Sequence, residues 1–238
     1  MGSATSPHRL GLCALLAGIT LCSALVPGRA GAGALDELSS KDVSAGLKAA
    51  LSQGVGNAVK QLGAADGFLN NPKVTIPLPS AFRDVEPVLR LLGRGGDADE
   101  LRASLNHAAE AAVSEATPIL KKSLRNMTLA DAQGILNGGE DSATQFFRHS
   151  ASDELRSAFR PIVARVTAKV KLAGLYDKLA GQVAQYGLLS GSETNMDDYV
   201  TDKALEGLYV VMADEERAIR KDPLGQASAI IRRVFGAQ

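Results

Sequence analysis

The chain has 238 residues with 26 basic and 26 acidic side chains, 45% apolar residues and no tryptophan. Zero formal net charge, with four tyrosines and six phenylalanines that are not interleaved with basic residues, excludes the electrostatic footprint and the stacking platform of a nucleic-acid-binding protein. The length suits one sizeable core, and no internal repeat, low-complexity tract or Pro/Ser-rich linker divides it.

The N-terminus reads as a secretory signal: His8 and Arg9, an apolar run from Leu10 to Val26, then Pro27, Gly28 and small residues. Ala30-Gly31-Ala32 and Ala32-Gly33-Ala34 both supply an A-x-A site, so cleavage is expected after Ala32 or Ala34. That leaves 1–32 as signal peptide and 33–238 as one exported, periplasmic domain. A retained anchor is disfavoured because the apolar run is short and contains Gly11, Gly18 and Thr20. Lipid attachment at Cys22 is disfavoured because Leu21, not a small residue, precedes it. Both cysteines, Cys13 and Cys22, leave with the signal, so packing alone must stabilise the mature chain.

In chain order, Val43, Leu47, Leu51, Val55, Val59 and Leu62 form an i, i+4 row that predicts an amphipathic helix. Gly46, Gly54 and Gly56 within it point to close approach of a neighbour. The pattern breaks at "GFLNNPKVTIPLPSAF", Gly67 to Phe82. There Val74, Ile76 and Leu78 alternate with Thr75, Pro77 and Pro79, which predicts an extended strap docked by its three apolar residues, without sheet pairing. Asn70-Asn71-Pro72 reads as the turn before it. Ser80 reads as the cap of a short helix carrying Phe82, Val85, Val88, Leu89 and Leu92, closed by Gly93.

After the loop "GRGGD", Asp97 opens a longer helix through Leu101, Leu105, Ala108, Ala112 and Val113, which Pro118 kinks or restarts before Met127. Thr128 and Asp131 form a capping-box variant for a helix ending at Asn137-Gly138-Gly139. Asp141 or Ser142 starts the next, with Phe146 and Phe147. Ser152 starts another, through Leu155, Phe159, Ile162, Val166 and Val170 with a kink at Pro161. A helix from Leu172 to Tyr186 follows. Asn195 or Asp197 then caps one from Tyr199 to about Arg220, and Asp222-Pro223 opens the last. The expected fold is all-α: a single domain of about eight or nine helices with one extended, proline-containing strap.

The chemical inventory is thin. No nucleophile elbow, zinc-protease motif, phosphate loop, dinucleotide fingerprint or calcium loop is present, so no cofactor or metal is assigned and catalytic residues are unknown. The strongest polar pair is His107 and Glu110, three apart on one helix and able to face one ion; His149 with Asp153 is a looser pair. The bland alternative for all four is solvated surface. Asp197 and Asp198 suit a helix dipole, and Glu215, Glu216, Arg217 and Arg220 read as an ion-paired surface.

The segments "GLKAAL", "GFLNNPKVTIPLP", "LNHAAEAAV", "MTLADAQGILNGGEDSATQFF", "FRPIV", "YVTDKALEGLYVVMADEERAIRKDP" and "RRVFG" together resemble the bacterial family designated domain of unknown function 4197, over about Leu35 to Gly236. The resemblance implies an exported, mainly helical protein and transfers no catalytic residue. The functional expectation is a non-enzymatic ligand-binding or envelope interaction protein, its partner an apolar small ligand or an envelope protein. The alternative is a hydrolase or metal-dependent enzyme with a helix-borne polar site, which requires the polar residues to converge. Membrane association through the helix from Val43 is disfavoured, since few basic residues lie on its polar face.

Overall fold

The i, i+4 row from Val43 forms one helix, α1 (Ser40–Leu62), in which Leu47, Leu51, Val55, Val59 and Leu62 are all buried. The computed structural model describes residues 40–83, 86–91, 93–169 and 195–222. The signal segment, the helix expected at Leu172–Tyr186 and the one expected after Asp222-Pro223 lie outside them. Among the described residues the structure is helical without a strand: α1 is followed by α2 (Ser80–Arg83), α3 (Glu86–Leu91), α4 (Gly95–Val113), α5 (Ala116–Asn126), α6 (Leu129–Leu136), α7 (Ser142–Lys169) and α8 (Met196–Lys221). No described helix is long and apolar enough to cross a membrane.

The long helices α4, α7 and α8 pack on one another, and α1 lies along α8, α5 and α6. Their shared core holds Leu101, Leu105, Phe147, Phe159, Leu208 and Tyr209. Gly54 faces α8, where a Cβ would lie 3.4 Å from the Ile219 Cδ1, an ordinary contact that leaves room for a methyl group. Gly56 differs from expectation, since a Cβ there would meet nothing within 4 Å.

Local signals set several boundaries. Thr128 caps α6 with both halves of the box in place: its Oγ1 accepts from Asp131 N at 3.1 Å, and Asp131 Oδ2 accepts from Thr128 N at 2.9 Å. Asn195 caps α8, accepting from Asp197 N and Asp198 N. Gly93, at φ 73°, closes α3 in the left-handed region. The helix is interrupted at Ser114–Glu115 and Pro118 sits in the first turn of α5, so this proline restarts the helix.

Other boundaries move. The two helices expected around Ser152 are one, α7, with Pro161 inside it. Ser152 does not cap; its hydroxyl bonds back to Arg148 O at 2.5 Å and meets Tyr209 Oη at 2.9 Å. Pro161 lies on the exposed side, where the carbonyl left without its amide partner can reach water. α4 starts at Gly95 rather than Asp97, which falls in its first turn. Of the helix expected after Ser80, α2 and α3 are described while residues 84, 85 and 92 are not, and Ser80 falls inside α2 instead of capping it, the first backbone bonds running from Phe82 N and Arg83 N to Pro79 O.

Glu216 is not on the surface. It is 5% exposed and reaches from α8 to the start of α7, accepting from Ala143 N and Thr144 N, both at 2.9 Å, and from Thr144 Oγ1 at 3.0 Å. Arg220 pairs with it at 2.9 Å and donates to Ile135 O and Ser142 Oγ. One carboxylate thus satisfies the free amides of the α7 N-terminus and ties α6, α7 and α8 together. Glu215 and Arg217 stay outside, bonded to Asn57 and Asp214.

Candidate functional site

Between α1 and α2 the chain makes a turn-rich loop and then the strap. Gly63 N still bonds to Val59 O, Asp66 takes φ 59°, and Gly67 follows where a Cβ would fall 2.4 Å from Gln61 O, so the tight reversal requires glycine. Phe68 then turns inward and is fully buried. Its ring fits because α8 has Gly207 opposite, where a Cβ would approach Phe68 Cε1 to 2.5 Å.

The loop is held chiefly by two residues one turn apart on α4. Glu110, 6% exposed, accepts from the backbone amides of Phe68 at 3.1 Å, Asp66 at 3.2 Å and Leu69 at 3.4 Å. Asn106, fully buried, pairs with both backbone groups of Ile76: its Oδ1 accepts from Ile76 N at 2.8 Å, and its Nδ2 donates to Ile76 O at 3.0 Å. A side-chain amide so takes the place of a neighbouring strand. Val74, Ile76 and Leu78 are buried in the core, and Tyr199 Oη donates to Pro77 O at 2.9 Å. The turn before the strap closes through Asn71, whose carbonyl accepts from Val74 N and Thr75 N and whose side chain accepts from Lys73 N.

This fixed loop forms one wall of an open cleft of about 380 Å³, lined among others by Gln61, Asp66, Asn70, Lys73, Asp214 and Glu215. Lys73 Nζ reaches Asp214 Oδ2 at 2.6 Å. That ammonium holds the Asp214 carboxyl below the usual range, with Arg217 adding to the effect. At the rim, His107 Nε2 lies 3.0 Å from Asp66 Oδ1, both side chains being about half exposed. Donor atoms of Asp66, His107 and Glu110 all lie within 4.8 Å of one another.

A family model described as "Protein of unknown function (DUF4197)" matches residues 37–236. The chain belongs to this family. No curated protein and no solved structure matches it.

In this DUF4197 member, His107 and Glu110 share a face of α4, as their spacing predicts, and the fold adds Asp66, which sequence reasoning missed. Asp66 comes from a loop 41 residues earlier, so no local spacing could pair it with His107. Its signal was indirect: an acidic residue before Gly67 at the point where the helix pattern stops. Glu110 is buried rather than solvated, because the loop amides need an acceptor. His149 and Asp153 are exposed and take no part in the cluster. Asp197 and Asp198 start α8 and bond to Thr167 and Arg160, away from the cleft.

Proposed function

We propose that this protein is an exported, non-enzymatic binding protein of the bacterial envelope that takes a small hydrophilic ligand in the cleft beside Asn70–Lys73. The observation that carries the reading is the cleft wall. It is a backbone loop locked by Glu110 and Asn106, so the polar groups facing the opening are ordered before any ligand arrives. Asp66, Asp214 and Glu215 against the single Lys73 favour a ligand bearing amine, amide or hydroxyl groups.

An apolar ligand has less support. Among the described residues, the apolar gap beside Leu51, Phe147 and Met212 measures about 20 Å³, room for about one water. Export rests on the signal-like first 32 residues, and N-terminal sequencing of the envelope fraction should find Gly33 or Leu35 first.

Binding is tested by native mass spectrometry of gently purified protein and by thermal shift against polyamines, amino acids and sugars. A hit should weaken at least about tenfold in an Asp214→Asn/Glu215→Gln variant, as expected for lost charge-assisted bonds. An apo spectrum with no shift across the panel, or a hit insensitive to the variant, would overturn the reading.

A further inference from the structure

We propose that Asp66, His107 and Glu110 form a divalent transition-metal site at the rim of the cleft. Two elements supply three different donors: an imidazole and a carboxylate one turn apart on α4, and a second carboxylate from the loop after α1. His107 Nε2 and Asp66 Oδ1 are hydrogen-bonded to each other at 3.0 Å, and an opening of only about 0.4 Å brings them to the separation of about 3.4 Å that two ligands about 2.1 Å from a tetrahedral ion require. All three donors lie within 4.8 Å of one another, and small rotations of the two half-exposed side chains close the set around one ion.

Glu110 is the anchored member. A carboxylate has about four acceptor positions, and the amides of Asp66, Phe68 and Leu69 fill three of them, fixing its orientation and leaving one for a metal. Asp66 and His107 face solvent, which gives an entry path and leaves further coordination positions to water. One nitrogen and two carboxylates suit zinc, cobalt or nickel. Three protein ligands are too few for calcium, which takes about six to eight oxygens. Asp66 also lines the cleft, so an ion there would stand beside whatever the cleft holds.

The test uses the metal-stripped mature chain, titrated with Zn²⁺ by calorimetry and with Co²⁺ by visible absorption. About one ion per chain is expected, with cobalt ligand-field bands, and with affinity reduced at least about tenfold in both Asp66→Asn and His107→Ala. Both changes fall on half-exposed side chains, and asparagine tolerates the Asp66 backbone, so these variants should fold. His149→Ala should bind like the parent. Absence of saturable binding, or unchanged affinity in Asp66→Asn and His107→Ala, overturns the site. Repeating the ligand panel in EDTA separates the two readings: ligand binding without metal binding sinks only this site, and metal binding with an empty cleft sinks only the cleft.

Discussion

Asn106 and Ile76 meet through both polar groups of one peptide, in a place where neither can find water. Asn106→Leu keeps the volume but leaves the Ile76 N–H and C=O unpaired, at roughly 1–3 kcal/mol each. The unfolding free energy should therefore fall by about 2–5 kcal/mol, read as a lower urea midpoint with an unchanged slope. Ile76→Asp places a carboxylate where the side chain is 1% exposed; it should cost about 3 kcal/mol or more and abolish cooperative unfolding. A stable Ile76→Asp protein would contradict the docked strap. The alternation of Val74, Ile76 and Leu78 is legible in the sequence because extended chain has a period of two. What receives the strap is not legible, since Asn106 lies 30 residues further on and is an ordinary polar residue in its own helix.

Helices and their contacts obey local rules only where local groups decide the outcome. The Val43 row and the Thr128–Asp131 box are read correctly from spacing, because each is completed within a few residues. Ser152 and Pro161 mislead, because α7 absorbs both: one hydroxyl bonds back into the helix and finds Tyr209, and one proline sits on the wet side. Glu216 misleads in the opposite sense, its partners lying 72 and 73 residues away at the α7 start. Glycines give a direct test at this scale. Gly207→Ala should destabilise by about 1–3 kcal/mol, since the methyl would enter the space of the Phe68 ring. Gly56→Ala, on an exposed face with open space, should stabilise by about 0.5–1 kcal/mol. Differential scanning calorimetry of the two variants should show shifts of opposite sign.

For the molecule, acid is the informative variable. Several carboxyls are held below their usual range: Asp214 chiefly by Lys73, Glu86 by Arg102, Asp99 by Arg90 and Asp131 by the Thr128 amide. A depressed carboxyl contributes stability that is present above its unfolded value, about 4, and is lost as pH falls through the lower folded value. Stability should thus be nearly flat from about pH 8 to 5 and decline below about pH 4, measured by urea midpoints across that range. Because these pairs are largely exposed, added salt should shrink the acid limb, and Asp214→Asn should shrink it further. A midpoint rising as pH drops would show that the pairs stabilise nothing.

The extended strap has one more consequence, for solubility. Of its backbone donors, those of Val74 and Thr75 turn inward to Asn71, that of Ile76 is taken by Asn106, and Pro77 and Pro79 have none. A segment with exposed ladder groups would be a template for edge-to-edge growth with other chains. Here most of the donors are already occupied or missing, so the strap offers an incoming chain few free amides for fibril-type addition while the protein stays folded.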